Sequence, residues 1–364
     1  GPTPDLWIYP NTGLRSTRSQ MLPQGHRMRC DIIIPVWNQL SFTKDCVESI
    51  FKNTRGDYRL IIIDNASDDQ TRQYLEGLKA SHDGRVVLAR NEENTGFIKA
   101  ANKGFGLSDA EYCLVLNNDT IVTDGWLDER MAVGGSEPKI GIVNPSSNNL
   151  GQRPPDGEPI DVFAKILKKD SGRFVELGAA VGFCMLIKRE VLKKVGMFDE
   201  VFGMGNFEDT DFSRRAVRAG YMCVRACGSY VFHRENTSFR LIRSFDDDFK
   251  RNREIYEFRW GRPRRVVYVL DSIDANIMRR VNAEALRFAR DGSWIWYFLK
   301  EKIGMPVHSN IVPVVFGPAK FGMKAFFKIL TKKKKFSDVF VNAGMLGQAL
   351  ERSAFIHKGK VSYY

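Results

Sequence analysis

The sequence predicts an α/β protein in which a doubly wound, Rossmann-like mixed sheet is followed by a smaller, basic α/β unit. Three observations lead to this prediction. Continuous apolar segments alternate with segments of helical periodicity over about 120 residues. Small polar residues follow the apolar segments, as they do where strands of such sheets end at a binding site. From about residue 264 the same alternation starts again.

The first domain is predicted over residues 29–262, after an irregular arm at residues 1–28 that is rich in Pro, Gly, Ser and Thr. Its first strand is CDIIIPVWN, a continuous apolar run of the kind that is buried on both faces. A helix over SFTKDCVESIFKNT follows, with Ser41 as its expected N-cap. Strands and helices then alternate through YRLIIIDNASDD, DQTRQYLEGLK, RVVLARN, GFIKAANKGFGLS and EYCLVLNNDT.

The rest of this domain begins with a Pro- and Gly-rich segment at residues 146–159, which is expected to be a loop long enough to act as a lid. VELGAAVGFCMLIKREVLKK predicts a strand and then a helix, NFEDTDFSRRAVRAGY a helix that begins with acids, and MCVRACGSYVFHRE a strand that delivers His233. Residues 263–364 are predicted to form the second domain. Because the chain stops on a strand, we expect this domain to be cut short.

The composition is that of a globular protein, with 43% hydrophobic and 27% charged residues. The six cysteines lack metal-ligand spacing and several lie inside apolar runs, which is typical of buried thiols in a reducing compartment. No signal peptide is apparent, and no apolar run approaches the ~18 to 20 residues of a membrane span. These features predict a cytoplasmic protein.

The net charge of +12 is unevenly distributed along the chain. Residues 1–250 contain 33 Lys and Arg against 34 Asp and Glu, whereas residues 251–364 contain 22 against 9. The basic last third predicts an anionic partner, which could be a membrane surface, a phosphate-bearing acceptor or nucleic acid. For the run TKKKKF alone, a solvated lysine face is an equal alternative.

Polar residues follow several predicted strands, and ligands of such sheets bind beyond the carboxyl ends of the strands. The residues expected along this rim are Trp37, Asn38, Asp64, Asn65, Asn94 and Asp119. Taken singly, each also has a structural explanation. Asp64 can cap, Asp119 can occupy a turn, the acids of FEDTD can complement a helix dipole, and His233 can be a hydrogen-bonded structural histidine.

The order of the motifs is more specific than any one of them. PVWN, DNASDD, NTGFIKAANKG, NNDT, GAAVGF, NFEDTD and FHRE follow one another along the chain. Over roughly residues 30–240 this order resembles the family 2 inverting glycosyltransferases of the GT-A fold, and most closely the rhamnosyltransferase-like enzymes of bacterial polysaccharides. The resemblance implies transfer of a sugar from a nucleoside-diphosphate sugar to a hydroxyl of a growing surface polysaccharide or lipid-linked glycan.

A pyrophosphate leaving group must be neutralised as the glycosidic bond opens, and Mn²⁺ or Mg²⁺ can do this with hard oxygen ligands. The resemblance implies Asp119 as the metal ligand of a DxD-like corner, in which Asn117 replaces the first acid. It implies that Asn117 or Asn118 contacts the ribose or a metal-bound water. His233 matches a position that completes the metal shell in some relatives, and an imidazole suits Mn²⁺ better than Mg²⁺.

The resemblance also implies Asp209 as the base that removes the acceptor proton, with Glu208 binding the acceptor or orienting the base. Asp211 is expected to be structural, either as a helix cap or paired with Arg214 or Arg215. A UDP- or dTDP-linked donor is expected to bind along the rim. The residues implied in its binding are Pro35, Trp37, Asn38, Asp64, Asn65, Asn94, Gly96, Lys99, Asn102, Asn117 and Asn118.

Several rival hypotheses remain. One is a catalytically inactive sugar-binding module, or a membrane-docking protein, on the same fold. A nucleic-acid-binding protein is disfavoured because no such signature is visible, and a nucleotidyltransferase because PVWNQL stands where a Gly-rich phosphate loop is needed. The second domain faintly resembles the N-terminal half of a GT-B glycosyltransferase, and an accessory docking domain is the alternative. We expect the protein to act peripherally at the inner face of the cell membrane.

Overall fold

The computed structural model describes residues 15–16, 29–234, 245–271, 275–342 and 344–364. The chain forms two compact units, each with its own sheet. The first unit contains Gly1–Val175 and Ala179–Trp260, and the second contains Glu176–Gly178 and Gly261–Tyr364.

The first unit is built on a mixed sheet of ten strands in the described part of the chain. Their order is β1-β8-β10-β7-β9-β5-β2-β3-β4, and β6 pairs with β10. Strand β9 runs antiparallel to β5 and β7, whereas β2 is parallel to its neighbours β3 and β5. The strands are β1 (Arg15–Ser16), β2 (Cys30–Val36), β3 (Tyr58–Asp64), β4 (Val86–Arg90), β5 (Tyr112–Leu116), β6 (Thr120–Val122), β7 (Ile140–Ser146), β8 (Arg173–Glu176), β9 (Cys184–Lys188) and β10 (Met222–His233).

Helices flank this sheet and connect its parallel strands. They are α1 (Leu40–Asn53), α2 (Asp69–Ser81), α3 (Gly96–Leu107), α4 (Trp126–Ser136), α5 (Ile160–Leu167), α6 (Arg189–Val195), α7 (Glu208–Arg218) and α8 (Phe245–Trp260). The central strands are buried almost completely, which is why their sequences read as continuous apolar runs. The predicted α/β class with a Rossmann-like mixed sheet is confirmed.

Helix α3 packs unusually close to β2. A Cβ atom at Gly104 would lie 2.3 Å from Cγ2 of Ile33, whereas nothing lies within 4 Å of a Cβ at Gly106 on the same helix. We expect Gly104→Ala to lower the free energy of unfolding by about 1–3 kcal/mol through overpacking. Gly106→Ala is the matched control and should raise it by about 0.5–1 kcal/mol, because alanine favours the helix. Urea denaturation of the two variants measures the difference, and equal effects would contradict the close contact.

Two local expectations change in the structure. Helix α1 begins at Leu40, and its N-cap is Gln39 in the left-handed region with no side-chain cap, so the prediction of Ser41 as the cap is wrong. The chain turns sharply there because Asn38 and Gln39 both have positive φ. Of the arm that was predicted to be irregular, Arg15–Ser16 forms β1 against Phe174 and Arg173, and its other residues lie outside the described part of the chain.

The second unit is a smaller α/β sandwich whose five described strands are all parallel, in the order β13-β12-β11-β14-β15. This order, with the first strand of the unit in the centre, is that of a doubly wound fold. One apolar core lies under α9 and a second under α10 and α11. The elements are β11 (Arg265–Leu270), α9 (Ala275–Arg290), β12 (Trp294–Leu299), β13 (Ile311–Val315), α10 (Phe321–Thr331), β14 (Asp338–Val341), α11 (Met345–Arg352), α12 (Ala354–His357) and β15 (Lys360–Tyr363).

The six cysteines are buried free thiols, as their apolar surroundings predicted. Within the described ranges, we find no helix with the length and apolarity that crossing a bilayer requires.

Candidate active site

The carboxyl ends of β3 and β4 and the loop before α3 are joined by a network of partly buried polar groups around the buried Asn65. Asn65 is at its centre. Its Oδ1 accepts hydrogen bonds from Asn91, at 2.8 Å, and from the amide and hydroxyl of Thr95, and its Nδ2 donates to Oδ1 of Asn94, at 2.9 Å. The predicted rim residues Asn65 and Asn94 therefore do meet. Their side-chain contacts fix the loop, which sets the shape of this part of the rim.

Asp64 is also engaged by its neighbours. Its Oδ1 accepts a 2.9 Å hydrogen bond from the amide of Ser67, and its Oδ2 pairs with Arg90. Arg90 also donates to the carbonyl of Ser67. The sequence offered no signal for Arg90, because a basic residue at a strand end has no motif of its own. Its guanidinium neutralises the buried acid at the rim.

Asn38 belongs to the same edge. Its backbone N–H donates to Oγ of Ser67, at 2.9 Å, and its side-chain Oδ1 accepts from the backbone N–H of Asp68, at 2.8 Å. Pro35 and Trp37 beside it are half-buried. Pro35 is tolerated inside β2 because the pairing of β2 with β5 ends at Ile33, so its missing N–H removes no bond to β5.

Helix α3 carries the remaining residues implied in donor binding. Gly96 begins it with φ +81°, and a Cβ there would lie 2.9 Å from Sδ of Met204, so this position requires glycine. Lys99 is exposed one turn further along. The side-chain amide of Asn102 donates to the carbonyl of Phe198, at 2.9 Å, and accepts from its backbone N–H, at 3.1 Å. These two hydrogen bonds hold the segment before α7.

Asp119 and His233 come together at the end of β5, where the sequence suggested a metal. Strand β10 runs antiparallel to β6 and places His233 opposite Thr120. As a result, Nε2 of His233 lies 3.0 Å from Oδ1 of Asp119 and 3.3 Å from Nδ2 of Asn117. Asn118 instead donates to Thr43 inside the unit, at 2.9 Å. Of the two candidate asparagines, Asn117 is thus the one at this corner.

His233 is held on three sides. Its ring stacks on Phe183 with 5.0 Å between the ring centroids. The side chain of Asn148 donates to the carbonyl of His233 and accepts from its backbone N–H. The amide of Asn149 lies against Nδ1, while Oδ1 of Asn149 is buried without a partner in the described part of the chain. Turning this amide by half a rotation would place its oxygen on a protonated Nδ1. The lone pair of Nε2 would then face Asp119.

These contacts allow a test of whether the corner fits a divalent cation. Nε2 of His233 and Oδ1 of Asp119 are 3.0 Å apart, a separation that an Nε2–H···O hydrogen bond satisfies by itself. Two ligands at right angles on one cation, each ~2.1 Å from it, also lie ~3.0 Å apart. The described residues contain no cluster of three or more His, Cys, Asp or Glu suited to a metal. Donor phosphates commonly complete such a shell, so the residues present fit a cation that binds together with its substrate.

Glu208 and Asp209 begin α7 and differ sharply in environment. Glu208 is 6% exposed, and its Oε2 has no hydrogen-bond partner among the described residues. Burial raises the pKa of Glu208 to about 8, and repulsion by Asp209 adds to the shift. Burial also raises the pKa of Asp209, but hydrogen bonds from the backbone of Gly182 and from Thr210 oppose that rise. These hydrogen bonds favour the ionised form of Asp209, whereas burial without a partner for Oε2 favours the neutral form of Glu208.

The protonation of Glu208 predicts a pH-dependent effect of Glu208→Gln on stability. The pKa of Glu208 is higher in the folded than in the unfolded protein. The contribution of this raised pKa to the free energy of unfolding is therefore complete below the usual pKa of 4.5 and is lost as the pH rises through about 8. Glutamine stays neutral at every pH. The free energy of unfolding of the variant should therefore rise relative to that of the wild type across this range, by about 1.4 kcal/mol per pH unit. Urea denaturation at several pH values measures it. Exposed Glu92→Gln is the control, and an equal difference at every pH would refute the assignment.

The entry to α7 is strained and is held by a residue that sequence reasoning missed. Asn206 and Phe207 have φ of 76° and 73°, a conformation that is unfavourable for a phenylalanine. Asn252 on α8 donates from its buried amide to the carbonyls of Phe202 and Gly205, at 2.7 and 2.8 Å. One turn further along α8, Tyr256 packs on the ring of Phe207. No motif marks Asn252, because its role depends on a contact distant in sequence.

One short segment connects the acid pair with the metal corner. Gly182 donates to Oδ2 of Asp209, at 2.9 Å, and the next residue, Phe183, both stacks on His233 and accepts from the amide of Asn117. Asn144 fixes this segment by bonding both backbone polar groups of Val181. The GAAVGF segment predicted from the sequence is thus the link between the two halves of the site.

Comparison with known proteins identifies the family. The sequence model of glycosyl transferase family 2 matches residues 31–196. Residues 31–196 are a glycosyl transferase family 2 domain. The chain is similar to the glycosyltransferase AglE of Haloferax volcanii, with 24% identity over 70% of this chain and 78% of AglE. It is also similar to the poly-beta-1,6-N-acetyl-D-glucosamine synthase of Staphylococcus epidermidis, with 25% identity over 46% of this chain and 41% of the synthase.

A solved structure supports the fold of the family 2 domain. The mannosyltransferase PcManGT from Pyrobaculum calidifontis, in complex with GDP-Man and Mn2+, superposes with a TM-score of 0.50 and 17% identity, over 65% of this chain and 66% of that chain. The first unit therefore has the GT-A fold. The family match together with the named glycosyltransferase relatives shows that the protein is a transferase. The chain spans 78% of AglE but only 24% and 32% of the length of two further relatives.

The Asp211 expectation is confirmed. Oδ2 of Asp211 accepts from Arg215, at 2.8 Å, and Oδ1 accepts from Arg259 and from the indole of Trp260. Asp211 thereby ties α7 to α8.

Proposed function

We propose that the first unit transfers a sugar, with inversion, from a nucleoside-diphosphate sugar to a hydroxyl of a growing surface polysaccharide or lipid-linked glycan. The observation that carries the proposal is the connection of Asp209 with the corner of Asp119 and His233 through one segment at Gly182 and Phe183. The names of the family 2 relatives, which include a polysaccharide synthase, support the class of product.

In this proposal, Asp209 removes the proton of the acceptor hydroxyl as the new glycosidic bond forms on the opposite side from the leaving group. Glu208, neutral at pH 7, donates a hydrogen bond to the acceptor without adding a second negative charge near the phosphates. Asp119 and His233, with Asn117 beside them, would hold the cation. A bound Mn²⁺ or Mg²⁺ supplies neutralisation of the diphosphate leaving group. Lys99 adds positive charge at the same rim.

The nucleotide is proposed to lie along the edge formed by Pro35, Trp37, Asn38, Asp64 and the loop at Asn94 and Gly96. Here the half-buried Trp37 offers a surface for the base. The network around Asn65 and the hold of Asn102 on Phe198 give that edge a fixed shape before a ligand arrives. We propose a UDP- or dTDP-linked donor.

Thermal denaturation with a panel of nucleoside diphosphates tests the proposal. UDP, dTDP, GDP, CDP and ADP are each added with and without Mn²⁺, because a ligand that binds only the folded state raises the melting temperature. We expect one nucleotide to stabilise the protein strongly, and only when the metal is present. If no nucleotide stabilises it, the inactive sugar-binding module becomes the better explanation.

We also propose that the protein works peripherally at the inner face of the cell membrane, where lipid-linked acceptors are found. The uneven charge of the chain supports this location.

A further inference from the structure

The second unit contains a long segment without a single acidic residue. Residues 302–337 carry eight lysines and no Asp or Glu. Most of these lysines lie on α10 or in the run that follows it. The positive charge of the last third of the chain is therefore concentrated around one helix.

Helix α10 exposes apolar side chains between these lysines. Its inner residues Phe321, Ala325 and Ile329 are buried in the core of the unit. On the outer side, Met323 is 52% and Phe327 56% exposed. They are one turn apart and alternate with the exposed Lys320, Lys324 and Lys328. An outer stripe that is both apolar and basic is not needed for packing within the unit.

The neighbouring helix extends this surface. Helices α11 and α12 pack against α10, and α12 exposes Phe355 to 79% and Ile356 to 42%. The acid on α11, Glu351, is followed directly by Arg352, and both are exposed. We call the outer residues of α10, with Phe355 and Ile356, the α10 face. It joins four large exposed apolar side chains to three lysines.

We propose that the α10 face docks on a bilayer that contains anionic lipids. Long lysine stems place their charges among headgroups while apolar side chains between them enter the interface. Each lysine near an anionic surface contributes attraction that salt weakens. The inference rests on the proposed function in one respect, because a lipid-linked acceptor would require such a location.

The chemistry of the α10 face favours lipid over nucleic acid. Single-stranded nucleic acid is bound by aromatic stacking together with basic residues, and arginine is the residue that also stacks on bases. The three basic side chains of this face, Lys320 at the N-cap and Lys324 and Lys328 on α10, are all lysines. Two of its four apolar side chains, Met323 and Ile356, are aliphatic. Aliphatic side chains stack poorly on bases but partition readily into a membrane interface.

Sedimentation with vesicles tests the proposal on the whole chain. We expect binding to phosphatidylcholine vesicles that contain phosphatidylglycerol, and little binding to phosphatidylcholine alone. Lys320→Gln/Lys324→Gln/Lys328→Gln should weaken binding roughly 100-fold, since each of the three lysines contributes about a factor of five. Met323→Ser/Phe327→Ser should also weaken it, by roughly tenfold or more. The matched control, Lys79→Gln/Lys139→Gln/Lys193→Gln, removes three exposed lysines of the first unit and should bind like wild type.

Several outcomes would overturn the proposal. They are equal binding to neutral vesicles, an equal loss in the control triple variant, or binding of a single-stranded oligonucleotide but not of anionic vesicles. The nucleotide panel, run on the same variants, separates this inference from the proposed function. If the α10-face variants lose vesicle binding but are stabilised by nucleotide like wild type, the docking role belongs to the α10 face. If the wild-type protein binds vesicles but no nucleotide stabilises it, the docking proposal stands and the proposed sugar transfer is wrong.

Discussion

Asp209→Asn is expected to reduce sugar transfer by about 10²- to 10⁴-fold, the range that general base catalysis contributes. Asparagine has nearly the same shape as aspartate but cannot accept the proton of the acceptor hydroxyl. Nucleotide binding should change little, because the carboxylate bonds to Gly182 and Thr210 and is not part of the corner at Asp119. The measurement is the transfer rate with the donor that the nucleotide panel identifies.

The control for this variant must separate lost chemistry from lost structure. The side-chain amide of the variant has one acceptor oxygen where Asp209 offers two, so some local destabilisation is expected. Thermal stabilisation by nucleotide with Mn²⁺ shows that the variant is folded and binds its donor. Transfer at the wild-type rate by a folded Asp209→Asn protein would remove the base assignment. Glu208 would then be the carboxyl group to examine.

Asp119→Ala is expected to abolish the metal-dependent part of nucleotide binding. Loss of a direct ligand should weaken metal affinity at least as much as the roughly 10- to 100-fold that outer-shell changes produce. The backbone carbonyl of Asp119, which accepts from the amide of Arg234, is retained in the variant, and His233 remains stacked on Phe183. The expected result is a melting temperature that no longer responds to nucleotide with Mn²⁺, as for wild-type protein treated with a chelator.

Asp124→Ala is the matched control for the metal prediction. Asp124 follows Asp119 closely, but its side chain is half exposed and pairs with Lys168 and Arg55 at the surface. Its removal should leave the response to nucleotide and Mn²⁺ unchanged. A response that survives in Asp119→Ala, or disappears in Asp124→Ala, would contradict a cation at the corner of Asp119 and His233.

Within the site, local sequence patterns identified the groups but not their contacts. Asp64 could be predicted at a strand end, yet its engagement by Arg90 depends on the pairing of β3 with β4. Asn102 lies on the correct helix, but its amide holds Phe198. Asn149 and Asn252 had no motif, because each acts on a residue far away in the sequence. Contacts of this kind are set by packing, which one sequence does not display.

The sequence by itself determined the strands and the side of the sheet on which the chemistry lies. A strand buried on both faces must be apolar throughout, so the polar residues at its end stand out and mark the rim. Tertiary structure alone decided that His233 meets Asp119, through the antiparallel pairing of β10 with β6. It also decided how differently two adjacent acids are surrounded. Glu208 and Asp209 carry the same functional group and are adjacent in the sequence. Their pKa values nevertheless depend on burial and on hydrogen-bond donors that the fold brings from other segments.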